Sequence, residues 1–563
     1  MSVSINNNKH ICLLPHLLLS KIVYFIDDNI DRICFSFACR RWYFERDKYL
    51  IFNSNAISII DEKKINHFYL NSFKSIFIKS INQKSRCTLL IQNDHHNCYN
   101  DEEYDFHIQN PSKLETIDNG MKSNIYKIKT NIKFNSNDRG KALKTLGNWV
   151  QSQPNVVKLK NFYLSKLGVN SSSRNNLLMN ITSLSLPSKF DEALSAGYFP
   201  PNLRSLKFGD KFDRPIKAGV LPSGLEKLIF GVSFDQALQP GVLPATLKSL
   251  TLRNAFYKPS LQVGSLPASL ETLLYSGHYT EIEDVGVLPT SLLTLKGAPP
   301  TWIKAIRSLS NLRYLSIDNS EEEQFTIDLS DLPDSLQTLV APHTLKSKLP
   351  TSIKSLDIAD ATYQMDEIFS SAADHQSQYR LDYLKICDNG SNKESLENLD
   401  IKELHVCQNE FTPLEQPIKI PFGVATLSLE LFGESKIAIP LSVTKLNVLQ
   451  SDGRLDDIET LMKFNDNNNS IKEMSIETAT DLSRLDSEII PESVETLKLI
   501  TTVCIPQPRV PNNLILHVNE YETIYIRKLD NDHYIFFSQS PPDFLSAIVH
   551  HSQLKAILEL FCN

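Results

Sequence analysis

Prolines 200, 222, 244, 267 and 289 are separated by 22, 22, 23 and 22 residues. A fixed period of this length constrains the chain more than any other feature. It implies one small structural unit per period, none able to bury its own apolar side without a neighbour. Counted from each proline, the third, sixth and eighth positions are apolar: Leu225, Leu228 and Phe230 after Pro222, Leu247, Leu250 and Leu252 after Pro244, Leu270, Leu273 and Tyr275 after Pro267. Pro333, Pro350, Pro421, Pro440 and Pro491 open units of the same pattern. Units without the proline keep the triad, as in Ile181, Leu184 and Leu186, or Leu312, Leu315 and Ile317. About fifteen units of 20–24 residues fit between 178 and 510, less regular after 295.

The sixth and eighth positions alternate with a period of two, so both side chains share one face of a short strand. One strand per unit predicts a parallel β solenoid, mainly β within an α+β chain, whose fifteen coils rise roughly 70 Å at about 4.8 Å each. The proline fixes φ just outside the ladder, where no backbone donor is lost. The other half of the coil is also regular. Phe190, Phe212, Phe234 and Phe256 fall twelve residues after their anchors, placed to fill the far side of the core. Glycines 197, 219, 241, 264 and 286 stand three residues before the next anchor, where a corner with positive φ would favour them.

The signature x-L-P-x-S-L-x-x-L-x-F-G, followed by F-D/N-x-P-I, resembles the FNIP repeat. The resemblance implies a leucine-rich-repeat-like solenoid used for protein binding. Near the start, Leu14-Pro15 leads into Leu18, Ile22 and Phe25 or Ile26 at helical spacing, Asp27-Asp28-Asn29 can cap a second helix, and that helix ends in Cys39-Arg40-Arg41-Trp42. These thirty or so residues resemble an F-box, with His16 where an acidic residue is usual. That resemblance implies docking onto the adaptor subunit of an SCF-type cullin ubiquitin ligase through Leu14, Pro15, Leu18, Ile22, Cys39 and Trp42. The residues alone also fit a helical cap on the end of the array.

The expected organisation is an F-box-like helical module over 1–48, a mixed α/β linker and N-terminal cap over 49–177, the solenoid over 178–520 and a C-terminal cap over 521–563. Within the linker, residues 50–52, 56–60, 73–81, 87–92 and 124–134 read as strands and 140–151 as a helix. In the cap, 524–527 and 534–537 read as a hairpin across Asp530-Asn531-Asp532, with a helix starting near Phe544. The Asn-rich stretch 464–470 reads as a disordered bulge.

Chemistry is sparse. No phosphate-binding loop, zinc-protease motif or nucleophile elbow occurs. His95, His96 and Cys98 are too close together to converge on a metal, and His550-His551 reads as a pair on an apolar helix. No catalytic residue, cofactor or metal is expected. A net charge of −7 gives no electrostatic reason for a nucleic-acid partner, and no run of about 18 apolar residues suggests a membrane span. Nine scattered cysteines fit reduced thiols in the cytoplasm or nucleus. Function therefore falls to protein partners. The outward positions beside the strand leucines are Ser205, Lys207, Lys227, Ile229, Thr251, Leu274, Lys296 and Tyr314. They would line the concave face if the solenoid curves, or form a merely solvated sheet with hydroxyls chosen for strand propensity. The expected role is a substrate receptor; the alternative is a protein-binding scaffold whose N-terminal helices only cap the array.

Overall fold

A computed structural model describes residues 14–53, 70–82, 86–92, 106–108, 114, 124–131, 139–162, 164, 178–256, 261–277, 282, 285–319, 325–369, 379–388, 396, 399–408, 419–431, 437–450, 455–465, 468–478, 490–500, 511–519, 522–538 and 546–554. They fall into two compact units, one from 86 to 425 and one joining the N-terminal helices to the chain from 426 on.

The first unit is a parallel β solenoid. Its strands are β1 (Cys87–Gln92), β2 (Phe106–Ile108), β3 (Ile125–Asn131), β4 (Lys158–Lys160), β5 (Ser183–Ser185), β6 (Ser205–Lys207), β7 (Lys227–Ile229), β8 (Ser249–Leu252) and β9 (Thr272–Tyr275). They continue with β10 (Thr294–Ala298), β11 (Tyr314–Ile317), β12 (Thr326–Asp328), β13 (Thr338–Val340), β14 (Thr344–Lys346), β15 (Ser355–Asp357), β16 (Arg380–Asp388) and β17 (Asp400–Gln408). β1 pairs with β2 and β3, and each later strand pairs with the next, except that β12 and β14 form a separate ladder. The parallel sheet thus begins upstream of residue 178.

The coil chemistry matches the repeat positions. Leu206, Leu228, Leu250, Leu273 and Leu295 stand in direct register, all buried. The carbonyl of each anchor proline accepts from the N–H three residues on, as from Pro222 to Leu225 (3.1 Å) and Pro267 to Leu270 (3.0 Å). That bond closes the turn feeding the strand. The hydroxyl one residue before the inward leucine donates back one coil: Ser269 to the Leu247 carbonyl, Ser291 to that of Leu270, Ser335 to that of Leu312. This explains why Ser or Thr recurs there, since it satisfies a carbonyl the ladder leaves open.

The far side of the core is an aromatic stack. Phe208 and Phe230 lie parallel at 5.2 Å, Phe212 and Phe234 at 6.0 Å, and each pair touches the other at 4.1 and 3.9 Å. Phe256 departs from expectation: it is 66% exposed. In the two preceding coils the residue after the aromatic is Gly209 or Gly231, where a Cβ would sit 1.8 Å or 2.3 Å from a carbonyl of the preceding coil. Arg253 occupies the equivalent place, so the same close approach is unavailable. Instead Asn254 turns inward, donating to the Phe234 carbonyl and accepting from Phe256 N–H. Glycines 197, 219, 241 and 264 have φ of 76–84°, whereas Gly286 sits in a 3₁₀ turn, Val285–Val287.

The second unit holds β18 (Thr426–Leu431), β19 (Lys445–Gln450), β20 (Glu473–Thr478), β21 (Thr496–Ile500), β22 (Asn513–Asn519), β23 (Glu522–Lys528), β24 (His533–Ser538) and β25 (Ser546–His550). β18 to β22 are parallel; β22 to β25 are antiparallel. Its α-helices of five or more residues, among the described residues, are α1 (His16–Tyr24), α2 (Asn29–Phe37), α3 (Arg40–Phe44), α4 (Lys74–Asn82) and, between β19 and β20, α5 (Leu455–Phe464). From β5 to β21, leaving out β12 and β14, fifteen strands lie in parallel ladders, matching the number of coils counted from the repeat.

Several local expectations change. Residues 73–81 are not a strand: Phe73, Ile76, Phe77 and Ser80 are buried at helical spacing, and α4 results. Residues 50–52 form no strand, although Leu50 and Phe52 are buried. Arg40-Arg41-Trp42 does not end α2 but opens α3 after a break at Ala38-Cys39. Residues 546–550 form β25 on β24 in place of a helix, with one helical turn following at 551–554. Asn465 and Asn468 are not a disordered bulge: both are buried and bonded to the backbone of Ile437, Ile439 and Leu461. The stretches 56–60 and 93–100, with His95, His96 and Cys98, lie outside the described residues.

Candidate interaction surfaces

The N-terminal helices build the first surface. Pro15 precedes α1 with extended φ and ψ, and its carbonyl accepts from Leu18 and Leu19 N–H. Asp28 caps α2, its Oδ1 accepting from Ile30 N–H (2.6 Å) and Asp31 N–H (3.1 Å). Burial pushes the Asp28 carboxyl up, against the pull of the Ile30 N–H, Arg527 and Arg32. Arg32, itself buried, donates to the carbonyls of Ile26 and Ile51. Glu45 ties α1 to α3: it pairs with His16 (2.8 Å), Arg41 (2.9 Å) and Lys48 (3.4 Å), and the His16 hydrogen bond leads the causes that hold its carboxyl down at about 2.

Leu19 and Val23 of α1, with Ile30, Ile33, Trp42, Tyr49 and Phe77, join Ile535 and Phe537 of β24 in one apolar core. Asp31 forms an ion pair with Arg527 of β23. The helical module is therefore seated on the antiparallel strands of its own unit.

The opposite side of α1 is exposed and mainly apolar, with Lys21 the one charged residue on it. Leu17 is 69% exposed and Phe25 81%, with Leu18, Ile22 and Tyr24 also exposed. At 3.6 residues per turn, Leu18, Ile22 and the C-cap residue Phe25 form one stripe and Leu17 with Tyr24 another, with the exposed Lys21 between the two. Of the six residues implied as adaptor contacts, Pro15, Leu18 and Ile22 are exposed together, Leu14 and Cys39 are half-buried, and Trp42 is buried against Phe35 at 4.7 Å. Leu17 and Tyr24 were not singled out from sequence; their seven-residue spacing is the signal that could have found them.

The second surface is the outward face of the solenoid. The strands bury the central residue and turn its neighbours out. Register places Ser205 beside Lys227, then Ser249, Thr272, Thr294 and Tyr314 in one ladder. Two residues along each strand, Lys207, Ile229, Thr251, Leu274 and Lys296 form the next. All eight positions expected to line the face are thus on two adjacent ladders, Thr251 being buried between its apolar neighbours. The Lys296 ammonium lies 4.9 Å from the Tyr314 ring centre. Burial, with Asp357 second, raises the phenol pKa of Tyr314. The row one residue before carries both signs, but Glu226 pairs with Arg204 and Glu271 with Lys248.

His550 closes β25 and His551 opens the following turn, so the pair is not on one helix face. Ligand atoms of His550, His551 and Asp532 lie within 4.8 Å of one another, all exposed, with His550 Nδ1 engaged by the Ser552 hydroxyl at 2.9 Å. Among the described residues no helix is long and apolar enough to cross a membrane.

The FNIP Repeat family model matches residues 212–255, which include Phe212, Phe230 and Phe234 of the aromatic stack. No curated protein matches the chain. Among solved structures, the crystal structure of CroV588, described as a novel circular LRR protein, is similar at a TM-score of 0.40 and 19% identity. The likeness covers 70% of this chain and 66% of that one.

Proposed function

We propose that this chain is a non-catalytic, protein-binding repeat scaffold that acts as substrate receptor of a cullin-type ubiquitin ligase. In this reading α1 docks the ligase adaptor and the outward solenoid face holds the protein to be modified. The observation that carries it is the exposed apolar side of α1, Leu17, Leu18, Ile22 and Phe25, on a helix whose other side is already buried. A row of large apolar side chains left in water marks a contact site more often than an idle surface. The F-box resemblance supplies the adaptor as the partner.

A second reading has its own observation. Ile535 and Phe537 lie in the core of the helical module, so the helices shield an antiparallel sheet that would otherwise be bare on that side. In that reading the module is a cap and nothing docks on α1. Co-purification of the full chain with purified adaptor separates the two. The receptor reading expects capture by the intact chain and loss of capture in Leu18→Asp with Ile22→Asp at unchanged melting temperature. No capture by the intact chain, with a melting temperature that falls on deleting 1–45, leaves the cap reading alone.

A further inference from the structure

On the outward ladders the charges are sorted by sign. β3 and β4 place Lys127 beside Lys158 and Lys129 beside Lys160, four lysines at the corners of two adjacent strands. Lys207, Lys227 and Lys296 follow on β6, β7 and β10. From β3 to β13 neither ladder carries a single carboxylate; the first is Asp357 on β15. The chain as a whole has more acids than bases, 65 Asp and Glu against 58 Lys and Arg, so composition alone does not produce this. Like charges set directly across neighbouring strands oppose pairing, which argues for a use beyond solubility.

We propose that this basic face binds an acidic segment of a protein partner, carboxylates meeting the lysines and apolar side chains meeting Ile229 and Leu274 between them. The inference rests on the protein-binding reading of the solenoid and names the class of partner. A protein segment fits better than a nucleic acid for two reasons. Ile229 and Leu274 interrupt the Lys207-to-Lys296 ladder with apolar surface. The only aromatic on these two ladders before β15 is Tyr314, already covered by Lys296, and the neighbouring Tyr126 lies under Lys158, so among the described residues open ring faces on which bases could stack are few there. Four rungs separate Lys207 from Lys296, about 19 Å, which roughly six residues of extended chain would span.

The test uses the purified full chain and a displayed library of random peptides, panned at low and at physiological salt. A Lys207→Glu, Lys227→Glu, Lys296→Glu variant is panned in parallel. A second variant carries the same kind of charge change off the face, at the exposed Lys189→Glu and Lys211→Glu. The expected result is enrichment of peptides with Asp or Glu flanking apolar residues. Their affinity should fall at least tenfold in the face variant, fall with salt, and stay unchanged in the off-face variant. Enriched peptides that lack acids yet still lose binding in the face variant would overturn this inference and leave the protein-binding reading standing. Peptides bound equally by all three chains would overturn both. Single-stranded RNA that binds the face and displaces the selected peptides would replace the acidic segment with a nucleic acid.

Discussion

The coil is decided by a few side chains that have no room to change. At Gly209 a Cβ would sit 1.8 Å from the Pro187 carbonyl oxygen, so Gly209→Ala forces adjacent coils apart. A loss of roughly 1–3 kcal/mol is expected, from overpacking against backbone, read as a lower urea midpoint. Gly224 is the control: nothing lies within 4 Å of its Cβ position and its φ is ordinary. Gly224→Ala should leave stability within about 1 kcal/mol of the parent or raise it. Ser291→Ala removes the bond to the Leu270 carbonyl, 2.7 Å, at a cost of about 1 kcal/mol. Glu45 gives a pH signature. Its carboxyl is held at about 2 against an ordinary 4.5. The folded state therefore prefers it ionised, and that contribution is complete above pH 4.5 and lost as pH falls towards 2. Melting curves of the parent and Glu45→Gln should converge over this window. A constant gap from pH 6 down to 2 would contradict the assignment.

At the scale of elements, periodicity was legible where one side chain pattern served one purpose. The Leu positions, the phenylalanine stack and the glycine corners follow from folding alone, and all three stand out in the spacing. Elements were misread where tertiary burial chose between two local options. Residues 73–81 hold apolar side chains on both alternating sets, which suits a buried strand; only the burial of Phe73, Ile76 and Phe77 on one side makes α4. Residues 546–550 could begin a helix, but β24 offers an unpaired edge and the segment pairs with it. Asn465 and Asn468 look like loop residues until the backbone groups they satisfy are known. The exposed apolar side of α1 was half legible. Leu18 and Ile22 stand out in sequence, whereas the exposure of Leu17, Tyr24 and Phe25 depends on which side of α1 the core takes. The two sides should respond differently. Trp42→Ala, buried beside Phe35, should cost about 3–5 kcal/mol of stability, while Leu18→Asp should change it by no more than about 0.5 kcal/mol. Thermal denaturation of the two variants checks both figures.

For the whole molecule, the folding code and the functional information occupy different positions. Inward leucines, anchor prolines and corner glycines fix the coil and repeat from unit to unit. Lysines, hydroxyls and apolar residues on the outward ladders vary along the sheet, and so do the exposed residues of α1. On the proposed receptor reading, what the chain binds is written in the second set, and binding should therefore be separable from stability. Titration calorimetry of the purified full chain with purified ligase adaptor tests this most directly. The expected result is saturable binding by the intact chain that weakens at least tenfold in Leu18→Asp with Ile22→Asp, at an unchanged melting temperature. No heat of binding by the intact chain, or equal affinity in the variant, would contradict the receptor account.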